Sequence, residues 1–180
     1  MRLYRTDKNR KAIHFGLPFF LYFCGTIFDG IQTAKQNKEI MTIKEIQDSI
    51  VEDFSMFDDW MDRYAMLIEM GKECPIIDDQ YRNDQYLING CQSRVWLHAE
   101  LKDGKVYYTA DSDAVITKGI VNLLIKVFNG QTPKDILSAD LSFLDEIGLK
   151  EHLSPTRSNG LLSMLKQMLL YAEAFKLKED

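Results

Sequence analysis

Two segments of alternating apolar and polar residues, joined by Lys102-Asp103-Gly104-Lys105, constrain the fold of this chain most. Residues 94–101 contain Val, Trp and Leu, and residues 106–110 contain Val and two Tyr. Such β-branched and aromatic content indicates strands, and Asp-Gly between two strands is a strong hairpin signal. The sequence therefore predicts an antiparallel hairpin in the middle of the chain.

A third strand is predicted just before the hairpin. Residues 72–89 are polar, contain Pro75 and several Asp and Asn, and indicate a long surface loop. At the end of this loop, Gln85–Ile88 favour a short strand. We therefore expect a small antiparallel three-stranded sheet.

Two amphipathic helices are predicted before the sheet. Thr42 and Glu45 have the spacing of a capping box, in which side chains and backbone at a helix start satisfy each other. A second helix is predicted over residues 58–70, with Asp58 as its N-cap and Gly71 as a left-handed stop. Neighbouring helices joined by a tight turn pack as an antiparallel pair.

Further helices are predicted after the sheet. Residues 115–128 present a broad apolar face, and a short helix follows Thr132-Pro133. Residues 141–149 favour another short helical segment, and residues 154–160 (SPTRSNG) indicate a turn that leads into a last helix over residues 161–176. The order of helices, sheet and helices predicts an α+β domain with its sheet packed against helices.

The charge distribution argues against a nucleic-acid-binding protein. The chain has 180 residues and is 46% hydrophobic, which fits one domain with a substantial core. Residues 1–40 hold seven of the 22 basic and three of the 27 acidic side chains, which leaves 15 basic and 24 acidic side chains in the rest. Residues 41–180 are therefore too acidic to neutralise many phosphate groups, and nucleic acid is excluded as a partner.

Residues 1–40 differ in composition from the rest of the chain. Their apolar run, residues 15–28 (FGLPFFLYFCGTIF), has 14 residues, whereas a helix needs roughly 20 to span a bilayer. We predict that residues 1–40 are an N-terminal extension without stable membrane association, either spurious, with the working protein beginning at Met41, or disordered. Residues 41–180 are predicted to form the working domain. The basic start and apolar run also resemble a signal peptide without a clear cleavage site, so a targeting segment stays as the alternative.

The three cysteines favour a reducing compartment. Cys24, Cys74 and Cys91 are an odd number, and no CxxC pair or Cys/His spacing typical of zinc is present. At least one thiol is therefore unpaired within the chain, which is typical of a cytoplasmic protein. No metal site is predicted, and Cys74 and Cys24 are interpreted as structural or incidental.

Cys91 is the leading candidate for chemistry. It follows Gly90, precedes the polar Gln92-Ser93, and stands before the first strand of the hairpin, which places its thiol at the tip of a turn. A nucleophilic thiol must be ionised, and Arg94 and Arg157 are the cations that could lower its pKa. From residue type and spacing alone, a reactive thiol and a structural one both stay open.

Other candidate groups have plain structural alternatives. His98 could pair with Cys91 as in a cysteine protease, but no third partner is visible. Asp111-Ser112-Asp113 resembles a fragment of a metal loop, although capping of the next helix is the better interpretation. Residues 154–160 could hold an anion at a helix start or simply cap that helix.

Three segments together resemble the signature blocks of the SufE family of cysteine desulfuration proteins. They are Gly90–Trp96 (GCQSRVW), Asp111–Ala114 with Lys118-Gly119, and Leu153–Leu161 (LSPTRSNGL). The blocks occur in order, within a resemblance that runs from about residue 42 to residue 176. It implies an α+β fold shared with the IscU-type iron–sulfur scaffold proteins.

The resemblance also implies a function in sulfur transfer. Cys91 corresponds to the family's sulfur-accepting cysteine, which takes a persulfide sulfur from a pyridoxal-phosphate-dependent cysteine desulfurase of the SufS type and stimulates that enzyme. The sulfur then passes to a SufBCD-type scaffold complex. Six further residues are implied to support the site or to bind the partner: Gly90, Gln92, Ser93, Arg94, Asp113 and Arg157. Of these, Asp113 and Arg157 are implied to shelter or orient the Cys91 loop or to contact the partner. The resemblance implies no cofactor for the protein itself, and the sequence leaves open whether the chain forms a homodimer.

Two further classes of function are carried as alternatives. An IscU-like scaffold would assemble a cluster on several cysteines that converge at one end, whereas Cys91 alone has a matching position here. A partner-binding domain with an incidental cysteine would need no reactive thiol. Sulfur transfer between thiols needs a single accessible thiolate, which is what the Cys91 loop is expected to offer.

Overall fold

The computed structural model of the protein describes residues 41–179. The predicted boundary at residue 40, the apolar run and Cys24 lie outside the described residues. In chain order, the elements are α1 (Ile43–Ser55), α2 (Trp60–Lys72), a 3₁₀ turn (Asp79–Tyr81), β1 (Val95–Lys102), β2 (Lys105–Ser112), α3 (Val115–Phe128), α4 (Pro133–Leu137), α5 (Phe143–Glu146), α6 (Leu149–His152) and α7 (Pro155–Glu179). The predicted α+β class is confirmed. In the part of the chain just described, no helix combines the length and apolar character needed to cross a bilayer.

The predicted hairpin is confirmed. Strands β1 and β2 pair antiparallel from Val95 opposite Ser112 to Lys102 opposite Lys105. The turn between them has positive φ at both central residues, 51° at Asp103 and 71° at Gly104. This is the geometry that an Asp-Gly dipeptide favours, because it matches the twist of the flanking strands.

The predicted third strand at Gln85–Ile88 is wrong. This segment makes one isolated antiparallel bridge, between Leu87 and Trp96 of β1, and within residues 41–179 the sheet has two strands. The chain leaves β1 at once because Gly90 comes next with φ of 93°, a left-handed conformation that turns it toward the Cys91 loop.

The first helix begins as predicted, and the second begins one residue later. The Glu45 backbone N–H donates to Thr42 Oγ1 at 3.3 Å, and the Thr42 N–H donates to Glu45 Oε2 at 2.8 Å, so the capping box is complete. Helix α2 is capped by Asp59, which accepts from the Met61 N–H at 2.9 Å, rather than by Asp58. With two adjacent aspartates, the sequence signal does not distinguish the two positions.

Gly71 lies inside α2 and does not end it. A Cβ at Gly71 would lie 2.9 Å from the Gly119 nitrogen, and a Cβ at Gly119 would lie 2.0 Å from the Leu67 carbonyl oxygen. The two glycines therefore let the backbones of α2 and α3 approach more closely than any side chain would allow. This contact explains Gly119 in the second signature block.

Helix α3 is the centre of the core. Eleven of its fourteen residues are buried, and it packs against α1, α2, β2 and α7. Burial on nearly all sides is typical of a central helix. The hairpin is joined to α7 by the buried Tyr108, whose hydroxyl donates to the Met168 carbonyl oxygen at 2.8 Å. Residues of α3 and α7 lie beside the loop that carries Cys91.

Helix α7 begins earlier than predicted. Residues 154–160 are not a turn, because Pro155 is the first helical residue and the Ser158 N–H donates to the Ser154 carbonyl oxygen at 2.9 Å. Proline is favoured at this position, where the helix needs no N–H from it. Gly160 is consequently an interior residue of α7.

Candidate functional site

Glycine places the Cys91 loop against α7. Gly90 has φ of 93°, and a Cβ built on it would lie 2.7 Å from the Ser163 hydroxyl oxygen of α7. Both the backbone conformation and the lack of space require glycine here. The loop is therefore folded onto the helix at the residue just before the candidate thiol.

The Cys91 thiol turns inward instead of projecting from the loop. The side chain is half-buried, and its thiol donates to the Gly160 carbonyl oxygen at an S–O distance of 3.6 Å. It borders a cavity of about 290 Å³ between the loop, α3 and the start of α7. The lining residues include Gln92, Ser93, Thr117, Arg157, Gly160 and Met164. The structure thus brings three of the predicted residues, Gln92, Ser93 and Arg157, to the same cavity as Cys91.

Burial raises the pKa of the Cys91 thiol above its ordinary value. The two arginines expected to lower that pKa do not outweigh burial in this conformation. The Arg94 guanidinium lies over the Trp96 ring, 4.8 Å from its centroid, and Arg157 is exposed at the cavity. Burial in this conformation therefore favours the protonated thiol over the more nucleophilic thiolate.

The residues after Cys91 are fixed to the start of α3. Asp113 accepts from the Arg94 N–H at 3.0 Å, and its own N–H donates to the Arg94 carbonyl oxygen at 3.3 Å. Thr117 of α3 donates to the Ser93 hydroxyl at 3.4 Å. Asp113 therefore orients the loop and does not cap α3, whose N-cap position is Ala114 without any side-chain cap.

Asp111 forms a buried ion pair network and not part of a metal loop. It is 7% exposed, and its carboxylate contacts Lys118 Nζ at 2.9 Å and Arg82 at 2.7 Å. Burial acts to raise its pKa, but the hydrogen bonds from Lys118 and the backbone, together with the two cations, outweigh burial and lower it. Within residues 41–179, no three His, Cys, Asp or Glu side chains converge as metal ligands.

The other candidate residues lie in separate environments. His98 stacks on Tyr81 with ring centroids 3.8 Å apart, and burial lowers the pKa of its imidazole. The thiol of Cys74 is buried and contacts the Ala110 carbonyl oxygen at 3.6 Å. Neither side chain lines the cavity beside Cys91, so the structure gives no support to a cysteine–histidine pair.

The sequence did not predict that α7 residues such as Gly160 line the cavity beside Cys91. Gly160 allows the thiol to approach, because a Cβ there would lie 3.4 Å from Cys91 Sγ. A signal was available: glycine inside a helix is less favourable than alanine by roughly 1 kcal/mol, so it usually has a packing reason. The prediction of a turn over residues 154–160 hides this signal, because a glycine in a turn needs no packing reason. Ser163 and Thr117 carry no comparable signal in the sequence.

Comparison with known proteins agrees with this geometry. Residues 48–172 match the SufE family, which is described as an Fe-S metabolism associated domain. The chain is 38% identical over 131 residues to an uncharacterized SufE-like protein of Rhizobium meliloti (strain 1021), and the match covers 70% of this chain and 94% of that relative.

A solved structure shows the same fold. The solution structure of a hypothetical protein from Thermus thermophilus matches with a TM-score of 0.61 and 22% identity, over 72% of this chain and 94% of that chain. The sequence match covers all three signature blocks, and the structural match covers a similar share of the chain. The protein therefore belongs to the SufE family, whose members are associated with iron–sulfur metabolism.

Proposed function

We propose that the protein accepts a sulfane sulfur on Cys91 from a pyridoxal-phosphate-dependent cysteine desulfurase of the SufS type. It then delivers this sulfur to a SufBCD-type scaffold in the cytoplasm and thereby stimulates the desulfurase. The observation that carries the proposal is the Cys91 thiol itself, half-buried on the loop after Gly90 and beside an open cavity. Family membership supports the same role.

The proposed transfer needs one thiolate and no redox partner. The Cys91 thiol first loses its proton to solvent or to a partner group. Its thiolate then attacks the outer sulfur of the desulfurase persulfide, a new S–S bond forms at Cys91, and the sulfur–sulfur bond on the desulfurase breaks. The inner sulfur of the desulfurase leaves as a thiolate, so one sulfane sulfur moves and no net oxidation occurs. A second exchange of the same kind releases the sulfur to the acceptor.

The resting contacts protect the thiol without locking it. Cys91 is held to α7 by one weak S–H···O contact of 3.6 Å, and Ser93 is held to Thr117 by one hydrogen bond of 3.4 Å. Such contacts stabilise the folded loop only modestly. A partner that draws the loop off α7 would hydrate the thiol and lower its pKa, which couples reactivity to docking. Arg157 lines the cavity and is exposed, which supports a role in contacting the arriving persulfide or its protein.

The cavity fits a transfer protein better than a scaffold. Its other lining residues are neutral polar groups, apolar groups and Arg157, and none of them is a cysteine, histidine or carboxylate. A cluster scaffold needs several such ligands around the metal. The partner-binding alternative predicts instead that the thiol can be replaced without effect.

The proposal is tested by desulfurase turnover with single cysteine variants of the full chain. We expect Cys91→Ser to abolish stimulation and the gain of one sulfur atom on the Cys91 peptide, measured by mass spectrometry. Cys74→Ser is the matched control, because this thiol is buried away from the cavity, and we expect it to retain sulfur acceptance as long as it folds. Circular dichroism of both variants checks the fold.

Two results would replace the proposal. Full stimulation by folded Cys91→Ser would leave a partner-binding domain. An iron-dependent visible chromophore that forms on the isolated wild-type protein and is lost in Cys91→Ser would indicate a scaffold.

A further inference from the structure

One face of the hairpin carries charged and aromatic side chains to which the proposed transfer step assigns no part. Asp111 is 7% exposed on this face, and its carboxylate contacts Arg82 Nη2 at 2.7 Å and Lys118 Nζ at 2.9 Å. Trp96 is paired with Asp111 in the register of β1 and β2, so the two side chains are neighbours on the same face. Together with Arg82 and Arg94, they form what we call the Trp96 cluster.

Two guanidinium groups lie against the Trp96 ring. Arg82 Cζ is 5.2 Å from the ring centroid, and Arg94 Cζ is 4.8 Å from it. Trp96 is 6% exposed, and among residues 41–179 its indole nitrogen has no hydrogen-bond acceptor. A buried tryptophan usually has one, and a cation over an indole ring is attracted to the ring. The position of this ring therefore depends on packing and on the two arginines.

The Trp96 cluster lies at the base of the Cys91 loop. The isolated bridge between Leu87 and Trp96 closes this loop, with backbone hydrogen bonds of 2.8 Å and 3.0 Å on either side of it. Arg82 precedes the bridge in the chain and Arg94 lies within the loop, beyond Cys91, yet both reach the same ring. Two backbone hydrogen bonds stabilise such a bridge only modestly, so the side chains around Trp96 contribute to keeping the base closed.

We infer that Arg82 is a positioning residue for Cys91, an inference that rests on the proposed sulfur transfer. Asp111 orients the Arg82 guanidinium, the guanidinium fixes the Trp96 ring, and the ring fixes the base of the loop. Opening is thereby confined to residues 88–95, and the thiol meets a docked persulfide in one orientation. Reactivity depends strongly on such a near-attack geometry. Arg82 does not line the cavity beside Cys91, so it acts through Trp96 and not by contact with the thiol.

Labelling of the thiols tests this inference without a desulfurase, in the full 180-residue chain. Arg82→Gln removes the guanidinium but leaves Lys118 beside Asp111, so no buried charge loses its last partner. We expect N-ethylmaleimide to modify Cys91 about tenfold faster, relative to Cys74, than in wild type, because one charge-assisted hydrogen bond that holds the loop is lost. A purely structural effect would change the labelling of both thiols by the same factor.

A conservative variant and a double variant sharpen the test. Arg82→Lys keeps a cation for Asp111 and for the ring, and it should restore most of the wild-type labelling rate of Cys91. Arg94→Gln should also accelerate labelling. R82Q/R94Q should show less than the product of the two single effects, because both arginines act on the same ring. Lys134→Gln, an equal charge change at an exposed site of α4, is the matched control and should leave labelling unchanged.

Desulfurase turnover separates positioning from docking. Arg82→Gln should lower the maximal stimulation by about fivefold, whereas the concentration for half-maximal stimulation should stay within about twofold of wild type. A normal maximum with a raised half-maximal concentration would make Arg82 a docking contact and overturn the inference. Unchanged relative labelling of Cys91 in folded Arg82→Gln would also overturn it. If the wild-type protein does not stimulate the desulfurase, the proposed function fails, and labelling still decides whether Arg82 positions Cys91.

Discussion

Cys74 and Cys91 both have thiols shielded from solvent, but different parts of the structure shield them. Cys74 lies just after α2, is 4% exposed and packs against β2. The next residue, Pro75, is held to β2 because its carbonyl oxygen accepts a hydrogen bond from the Ala110 N–H at 2.9 Å. Cys91 is half-buried on a loop and contacts one carbonyl of α7 beside an open cavity. Burial raises the pKa of Cys91 and raises that of Cys74 to about 11.

The difference shows that a raised pKa alone does not identify a structural cysteine. The core must open before Cys74 meets solvent, whereas movement of one loop is sufficient to expose Cys91. Free energies of local opening vary widely within one protein, and loops with few contacts have the lowest values. A half-buried thiol on such a loop is covered in the resting conformation, and local opening of the loop exposes it.

Native-state labelling should separate the two thiols by the largest margin. In a pulse of N-ethylmaleimide at neutral pH, we expect the Cys91 peptide of the wild-type protein to be modified at least about 100-fold faster than the Cys74 peptide. The reason is that the Cys74 thiol can react only after the core around it opens. Peptide-resolved mass spectrometry measures both rates and separates them from Cys24. In guanidinium chloride, the two rates should converge. Similar labelling rates in the native protein would show that exposing either thiol costs a similar free energy.

The pH dependence of the free energy of unfolding should report the burial of the Cys74 thiol. Its folded-state pKa of about 11 exceeds the value of 9.0 for a free thiol. Burial of the neutral thiol therefore stabilises the fold fully below pH 9, and this stabilisation is lost as the pH rises toward 11. Between neutral pH and about pH 10.5, the free energy of unfolding of wild type should fall by about 2 kcal/mol more than that of Cys74→Ala.

Denaturant titrations of both proteins at the two pH values measure this difference. Because Cys91, the tyrosines and the lysines are common to the two proteins, their titration cancels in the comparison. Equal pH dependence of the two proteins would mean that Cys74 is hydrated in the folded state.

A side chain at position 160 should weaken the packing of the Cys91 loop against α7. A Cβ at this position already lies 3.4 Å from Cys91 Sγ, so the methyl groups of Gly160→Val would crowd the thiol. At a crowding cost of about 1 kcal/mol, we expect Cys91 to be labelled about fivefold faster than in wild type. Ala174→Val, at an exposed site of the same helix, is the control and should leave the rate unchanged. Unchanged or slower labelling in Gly160→Val would show that the loop does not depend on this contact.

Local signals in the sequence predicted the parts of the fold that depend on neighbouring residues. The capping box at Thr42 and Glu45, the Asp103-Gly104 turn and the proline at the start of α4 are each complete within a few residues. Their physics does not depend on distant contacts. The turn at Gly90, with φ of 93°, is also a local feature, although the direction of the Cys91 side chain is not.

Contacts between distant residues decided the parts that the sequence did not predict. Gly71 was interpreted as a helix end, but its role is to contact Gly119, which is 48 residues away in the chain. Cys91 was expected to project, because nothing near it in the sequence shows that Gly160 leaves room on α7. The third strand failed for a similar reason, since one favourable bridge at Leu87 does not make a strand when the chain must turn at Gly90.

The two-stranded sheet also limits how other proteins can bind. Along β1, the outer edge meets Leu87, and along β2 it meets Ile76 and Gln131, each through an isolated bridge. At these bridged positions, the edge is not free to pair with an extended peptide as an additional strand. A protein that exchanges sulfur with Cys91, as we propose, would then recognise side chains of the loop and of the surrounding helices. Specificity between partners would then be a property of surface chemistry, and it could change in evolution without any change in the sheet.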